Sequence, residues 1–302
     1  MRRFAAISAV LLLCACSGGG AGTNDGPDRV AADIGDLGAG GASVTAFTTP
    51  DGYAQGDGLI AYEGPGWESD RVAYRLYLDG RNAVDIFGKR TPELVLAGVG
   101  RGEDYHAMAD WGMDILKVGN SLGTGGFGVL QDGEAVQIGE AGHYTAEVVE
   151  DTNSRATVRV THSGSRACGG DVVADYSISA GSRLTEVSID EDCALPVVAG
   201  LVIHPGTGSI RKEIGDWGYI AQHGRQSLSG DDLGTAIFYR RADVARVAKD
   251  GDDHYVVFKD GSTPRYLFGA AWAQEPDGDG DALRFVRWLD RTYNELNEKD
   301  PT

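Results

Sequence analysis

The chain has 302 residues with a formal net charge of −18, and 42% of its residues are hydrophobic. That length and apolar content are sufficient for a sizeable buried core. The negative charge repels nucleic acid and anionic lipid surfaces, so it argues against both as partners. An anionic substrate would need a local basic pocket, because long-range attraction is absent.

The N-terminus resembles a bacterial lipoprotein signal peptide, predicted to cover residues 1–15. Arg2 and Arg3 form a basic start, and residues 5–13 are an apolar run too short for a mature membrane span. We expect cleavage before Cys16 and acylation of that cysteine. A lipid anchor would be the only membrane attachment, in the periplasm, the outer membrane or at the cell surface. An ordinary secretory signal cut near Gly20 is the alternative.

Residues 16–41 are predicted to be a flexible tether. They are rich in Gly, Ala and Asp and contain almost no large apolar side chain, so they cannot bury enough surface to offset the entropy of ordering. The remaining residues, 42–302, show no fixed repeat and no break in composition. We therefore expect a single domain there.

The body of the chain has the pattern of a large antiparallel β-sandwich. Short β-prone segments alternate with Gly, Asp and Asn turns, as is typical of all-β folds. The predicted strands are 43–47, 58–62, 71–79, 135–138, 143–150, 155–162, 172–179, 182–190, 197–204, 217–222, 235–239, 244–248, 254–258 and 265–272.

Two helices are predicted. A short one begins at Thr91, where a capping side chain precedes Pro92 and Glu93. The other covers 282–297, because apolar residues recur there at spacings of three and four. That apolar stripe consists of Leu283, Val286, Leu289, Tyr293 and Leu296.

The two cysteines beyond the signal, Cys168 and Cys193, flank a predicted hairpin. If residues 180–181 form a two-residue loop, the register of the hairpin places the cysteines opposite each other. We expect a cross-strand disulfide in an exported chain, although a β-bulge would shift this register.

Residues 64–89 and 105–128 combine aromatic rings, charges and glycines, the mixture of a polar-ligand pocket. Trp67 and Trp111 are candidates for stacking on a sugar ring, with burial in the core as the alternative. Within 71–79, alternate residues predict one core face and one polar face that lines a groove.

Three cations in these segments are candidates for binding a carboxylate: Arg75, Arg81 and Lys117. Arginine offers the bidentate geometry that a uronic acid matches. The alternative is pairing with nearby aspartates, which is a serious competitor in a chain this acidic.

His106 is the leading acid–base candidate, because it lies beside Tyr105 and near Asp110. A structural histidine is the alternative. His204 ends a buried-looking strand and is a second candidate, against a strand-end histidine satisfied by solvent. The other histidines are predicted to lie at the surface: His143, His162, His223 and His254.

No cofactor and no metal site are expected, with one exception to be tested. Asp277, Asp279 and Asp281 begin like a calcium loop, but Ala282 and Trp288 stand where an EF-hand needs Gly and Glu. An acidic turn before the last helix is the preferred interpretation.

The segments WESDRVAYRLYLDGRNAVDIFGK and YHAMADWGMDILKVGNSLG resemble the bacterial family named domain of unknown function 4861. The resemblance implies a sandwich similar to galactose mutarotase (a supersandwich) and a link with breakdown of uronate-containing polysaccharides. The stretch ending at His204 is also faintly similar to a mutarotase segment that places a histidine in the groove.

Three classes of function follow from these residues. The first is an enzyme that cleaves uronate-containing saccharides. Elimination would use Arg75 or Arg81 to neutralise the uronate carboxylate and His106 or Tyr105 to remove the proton beside it. Hydrolysis would instead use two carboxylates, such as Asp110 and Asp114. The second is a mutarotase or epimerase that uses His204 and a carboxylate. The third is a non-catalytic glycan-binding lipoprotein that uses the two tryptophans.

Overall fold

The computed structural model describes residues 29–299, which form 21 strands and one α-helix. In chain order the elements are β1 (Val30–Asp33), β2 (Gly35–Asp36), β3 (Ala42–Ser43), β4 (Ala46–Thr48), β5 (Gly66–Ser69), β6 (Ala73–Leu76), β7 (Val84–Lys89), β8 (Gly112–Asp114), β9 (Thr124–Gln131), β10 (Glu134–Gln137), β11 (His143–Asp151), β12 (Arg155–Ser165), β13 (Gly170–Ser179), β14 (Leu184–Asp190), β15 (Val197–Val202), β16 (Gly208–Lys212), β17 (Trp217–Gly224), β18 (Leu233–Arg240), β19 (Val244–Lys249), β20 (Asp253–Phe258), β21 (Arg265–Trp272) and α1 (Ala282–Lys299).

These strands build a two-layer antiparallel sandwich, as predicted. One layer is a nine-stranded sheet in the order β16-β17-β18-β21-β14-β13-β12-β11-β4. The other layer contains two five-stranded sheets, β1-β5-β6-β7-β8 and β10-β9-β15-β20-β19. Aromatic rings join the layers: Trp67 stacks on Tyr176 at 4.9 Å, and Tyr74 meets Phe268 edge-on at 5.1 Å between ring centroids.

The C-terminal helix is confirmed and packs on the outer face of the nine-stranded sheet. The Asp281 carboxylate accepts hydrogen bonds from the backbone N–H groups of the first turn, so it caps the helix. Phe285 and Trp288 are buried against β17 and β18. The predicted apolar stripe is partly wrong, because Leu283 and Val286 are exposed.

Two local predictions are wrong. Residues 58–62 form no strand; Ala61–Glu63 is instead a 3-10 turn. The predicted helix at Thr91 is also absent. The Thr91 hydroxyl does accept from the Glu93 N–H, but only the 3-10 turn Leu96–Gly98 follows. Strand β9 is rich in glycine because neighbouring backbone approaches it closely: a Cβ atom at Gly128 would lie 2.0 Å from the Val136 carbonyl oxygen.

The predicted tether is too long. Strand β1 begins at Val30 and pairs with β5, and Val30 and Ile34 are buried in the main core. The folded domain therefore starts before residue 42. The predicted signal peptide and Cys16 lie outside the described residues. No helix within 29–299 has the length and apolarity needed to cross a membrane.

The predicted disulfide between Cys168 and Cys193 is confirmed, with Cα atoms 3.9 Å apart. The predicted register of its hairpin is wrong by two residues, because Ile178 faces Thr185 rather than Arg183. The loop is therefore longer than two residues. Both cysteines lie beyond the same end of the β13–β14 ladder, the end opposite the hairpin loop, because Cys168 precedes β13 and Cys193 follows β14.

Candidate functional site

A buried arginine shared by two aspartates lies at the centre of the β6-β7-β8 region. Arg75 on β6 faces Asp85 on β7 in the ladder, and Asp114 ends β8. Its Nη2 atom is 2.7 Å from Oδ2 of Asp85 and 2.7 Å from Oδ2 of Asp114. All three residues are about 1% exposed. We call these residues, together with Tyr77, Tyr105 and His106, the Arg75 cluster.

Two tyrosine hydroxyls complete the polar network around Arg75. The Tyr77 hydroxyl accepts from Arg75 Nη2 at 2.7 Å and donates to Asp85 Oδ2 at 2.8 Å. The Tyr105 hydroxyl accepts from Arg75 Nη1 at 3.2 Å. Burial raises the pKa of both tyrosines, so both remain protonated at neutral pH.

The carboxylate pair carries more negative charge than the arginine can balance. Burial, followed by the neighbouring Asp85 charge, raises the pKa of Asp114 well above its usual value, although Arg75 acts in the opposite direction. Two carboxylates held by one guanidinium nitrogen repel each other, and sharing a proton relieves that repulsion. The Asp114 carboxyl group therefore takes up a proton at a higher pH than an exposed aspartate does.

His106 is the solvent-accessible member of the cluster. Its Nε2 atom lies 3.5 Å from Oδ2 of Asp114, while its Nδ1 atom lies 3.5 Å from Oδ1 of Asp104. The imidazole lies against the Tyr105 ring, tilted by 34° with 4.4 Å between ring centroids. Its side chain is 56% exposed, whereas that of Asp114 is 2% exposed. The imidazole thus connects the buried carboxylates with solvent.

The backbone next to Arg75 is strained. Tyr62 and Glu63 have φ angles of 41° and 65°, in the left-handed region that non-glycine residues seldom adopt. The Tyr62 carbonyl accepts from Arg75 Nη1 at 3.0 Å, and Glu63 Oε2 lies 3.9 Å from the same nitrogen. Strain held by surrounding structure is frequent at functional sites, and it favours this region as one.

The predicted stacking role of Trp67 is wrong. Its side chain is fully buried, and its indole Nε1 donates to Oγ1 of Thr185 at 2.8 Å, so it is a core residue. Trp111 is half-buried beside Phe87, with 6.0 Å between ring centroids. Of the two tryptophans, only Trp111 retains exposed ring surface.

Two of the three cations predicted to bind a substrate carboxylate, Arg75 and Arg81, form ion pairs with aspartates of the chain instead. Arg75 is enclosed, so the predicted polar groove face of 71–79 is covered rather than open. Arg81 pairs with Asp79 at 2.6 Å and lies over the Tyr77 ring. Pairing with aspartate, the alternative interpretation, is correct for both. Lys117 is exposed.

One cation was missed by sequence reasoning. Arg90 is exposed, its backbone N–H donates to the Trp111 carbonyl at 2.7 Å, and its guanidinium forms no ion pair within residues 29–299. Arg90 follows directly after β7, whose last residue, Lys89, faces Gly112 in the ladder with β8. Its sequence signal was a single charge after a strand, which is too common to single out.

Two predicted catalytic residues lie apart from this network. Asp110 is exposed and makes no hydrogen bond or ion pair with the described part of the chain. His204 is half-buried beside the Lys117 backbone, and burial lowers its pKa. Its buried Nε2 atom has no hydrogen-bond partner among residues 29–299. The structure thus brings together His106, Tyr105 and Arg75, and leaves Asp110 and His204 outside.

The candidate calcium loop serves other purposes. Asp277 pairs with Arg71 and Arg183, at 2.6 and 2.5 Å. Asp281 caps α1, so the acidic-turn interpretation fits both residues. Across 29–299 there is no group of three or more His, Cys, Asp or Glu side chains arranged to hold a metal ion.

Three surface cavities of about 200, 300 and 340 Å³ lie elsewhere on the molecule. None of them is lined by the Arg75 cluster, which meets solvent through His106 and Tyr105. Catalysis requires convergent titratable groups with at least one accessible member, and the Arg75 cluster meets this requirement without lining a large cavity.

A search of curated proteins found no match to this sequence. A protein-family model described as a domain of unknown function (DUF4861) matches residues 29–299, which is the whole described domain. The chain therefore belongs to the DUF4861 family.

Proposed function

We propose that this protein is an exported, lipid-anchored enzyme that acts on uronate-containing saccharides by proton transfer at the Arg75 cluster. The observation that carries the proposal is the exposed His106 imidazole against the buried Asp114 carboxyl group, 3.5 Å away. An accessible imidazole oriented by a buried carboxylate is a common arrangement for general acid–base catalysis. The substrate class follows from the family resemblance.

His106 Nδ1 is the nitrogen assigned to the substrate. Its neighbour, Asp104, is 73% exposed in its side chain and free to move away, whereas Asp114 on the Nε2 side is fixed by Arg75. Asp114 therefore positions the ring and stabilises its positive charge after proton uptake.

Tyr105 is the proposed proton donor. Its hydroxyl oxygen accepts from Arg75, and within 29–299 its own proton has no acceptor. Its raised pKa keeps it protonated at neutral pH. In an elimination, His106 removes the proton from the carbon that carries the uronate carboxyl group. The electron pair of that C–H bond forms a C=C bond to the adjacent ring carbon, and the bond from this adjacent carbon to its glycosidic oxygen breaks. Tyr105 then protonates that oxygen.

The substrate carboxylate requires a cation, and we assign this role to Arg90, which forms no ion pair within residues 29–299. Arg90 is exposed beside Trp111, whose ring offers an apolar face for a sugar. Arg75 cannot take this role because it is buried and paired with Asp85 and Asp114.

Hydrolysis by a pair of carboxylates is disfavoured here. Of the predicted pair Asp110 and Asp114, Asp114 is about 1% exposed and bound to Arg75, so it cannot reach a glycosidic bond and Asp110 has no second carboxylate to act with. Mutarotation remains the second candidate, because it needs only one acid and one base, which His106 and Tyr105 supply. Non-catalytic binding loses support with Trp67 buried.

The test is incubation with uronate polysaccharides. Absorbance of an unsaturated product reports elimination, chromatography reports hydrolysis, and NMR of anomers reports mutarotation. His106→Ala should lower the rate by roughly 10²–10⁴-fold. His143→Ala is the matched control, because His143 is similarly exposed and lies 3.5 Å from Asp51. Full activity of His106→Ala would refute the assignment.

A further inference from the structure

The cavity of about 340 Å³ lies between two edge strands on the open side of the sandwich. It is lined by residues of β16, β19 and β20: Ser209, Ile210, Arg211, Val247, Ala248, Lys249 and His254. Strand β16 is the last of the nine-stranded sheet, and β19 is the last of a five-stranded sheet. We call this the edge cavity. It shares no residue with the Arg75 cluster.

His254 is held firmly in the wall of the edge cavity. It is 2% exposed, contrary to the surface position predicted from the sequence. The buried Gln222 amide donates from Nε2 to His254 Nδ1 at 3.0 Å, which links the two layers. Ser209 donates to the Gln222 carbonyl at 3.0 Å, and this fixes the orientation of the amide.

The Gln222 hydrogen bond determines which imidazole nitrogen carries the proton. An amide nitrogen can only donate, so His254 Nδ1 is the acceptor and Nε2 bears the hydrogen. Within 29–299, His254 Nε2 has no hydrogen-bond partner. Burial lowers the pKa of His254 to about 4, so the ring is neutral at pH 7 and offers an N–H donor to the cavity.

The charge of the edge cavity is opposite to that of the whole chain. Its lining includes Arg211 and Lys249 but no carboxylate, although the formal net charge is −18. Lys249 is exposed, faces His254 in the ladder and forms no ion pair within the described residues. Arg211 retains one partner, Glu213, at its far end. An anion would therefore be attracted by Lys249 and would accept from His254.

Three apolar side chains complete the wall: Ile210, Val247 and Ala248. An inorganic anion would leave them uncovered, whereas an organic one would bury surface against them. We propose that the edge cavity binds a small organic carboxylate of about monosaccharide size, through Lys249 and His254. The proposal is independent of the reaction assigned to the Arg75 cluster.

The test is an NMR titration of the intact chain with glucuronate, with glucose and sulfate as the neutral and inorganic probes. Glucuronate should shift the His254 ring signals in a saturable way, and the two other probes should not. Lys249→Ala should weaken glucuronate binding by at least about tenfold. Arg246→Ala, which removes an equal charge from a residue of β19 that does not line the cavity, should have no effect.

A second variant guards against misfolding and separates the two sites. His254→Gln should also weaken binding, and an unchanged spectrum of the core would show that the fold persists. His106→Ala should leave the His254 shifts intact. Absence of saturable shifts with glucuronate, equal binding of sulfate or glucose, or unchanged affinity in Lys249→Ala would each overturn the proposal.

Discussion

Two buried arginines in this sandwich are each shared by several carboxylates, yet they serve different purposes. Arg75 joins Asp85 and Asp114, and the accessible side of that group carries an exposed imidazole and a phenol. Arg183 binds Glu275, Asp277 and Asp279, and joins the β13–β14 loop to the turn before α1. We call the second group the Arg183 cluster.

The difference is in what faces solvent. The Arg183 cluster exposes only carboxylates already paired with Arg71 or Arg183, so it fixes the position of the helix. The Arg75 cluster exposes a proton-transfer group backed by a raised-pKa acid. Ion pairing alone therefore does not mark a functional site; a buried network with one accessible titratable member does.

The largest difference between the two clusters is expected when the arginine of each is replaced and the free energy of unfolding is measured. Arg75→Met leaves two fully buried carboxylates without a cation and should lower the free energy of unfolding by ~3–5 kcal/mol. Arg183→Met should cost less, because Asp277 is 33% exposed in its side chain and keeps Arg71 as a second partner. Urea unfolding at pH 7 measures both. Equal or reversed losses would break the comparison.

Another buried carboxylate has no arginine partner among residues 29–299. Asp253 is 2% exposed, and in this part of the chain it accepts only from the Leu122 N–H, at 3.1 Å, with two aspartates nearby. Burial raises its pKa from 3.8 to about 7. The pKa of Asp253 is higher in the folded state than in the unfolded state. The stability that this residue contributes is therefore complete below about pH 4 and is lost as the pH rises to about 7.

Ionisation of Asp253 should lower the free energy of unfolding by on the order of 4 kcal/mol, at about 1.4 kcal/mol for each unit of pKa difference between the folded and unfolded states. Asp253→Asn should remove this slope and be more stable than the parent above pH 7. Urea unfolding between pH 4 and 8 provides the measurement. A parent protein whose Asp253-dependent stability is constant over that range would show that the charge is compensated in another way.

Tyr105→Phe tests the accessible side of the Arg75 cluster. Loss of the donor hydroxyl should lower the rate of elimination by ~10²-fold or more, since general acid catalysis is removed. Stability should fall by only about 1 kcal/mol, because one hydrogen bond to Arg75 is lost. Tyr53→Phe, at another half-buried tyrosine, is the control. Comparable activity losses in both variants would point to a general effect on the fold.

The smallest effect is expected at the solvent edge of the Arg183 cluster. Arg71 pairs with Asp70 and Asp277, and its side chain is 38% exposed. Arg71→Ala should change the free energy of unfolding by ~0–1 kcal/mol, because water replaces an exposed ion pair readily. A loss as large as that of Arg183→Met would mean that the cluster acts as one unit.

Sequence reasoning selected His106 and Tyr105, which the fold brings together with Arg75, but it misjudged the burial of Arg75 and Trp67. The two segments were singled out because aromatic, charged and glycine residues occur close together in them. Whether an alternate residue of a strand faces solvent depends on the layer beyond it. On β6 both faces are covered, so a residue predicted to line a groove became the centre of a buried network.

The sequence by itself determined the architecture: period-two patterns, turn residues, the amphipathic C-terminal segment and the cysteine pair depend on local chemistry and short spacing. The tertiary structure decided which polar residues are buried. Arg75, Asp85 and Asp114 meet only because three strands align, and His254 meets Gln222 only because two sheets face each other. Such contacts join residues far apart in the chain, and burial then changes their protonation in a way that local sequence does not encode.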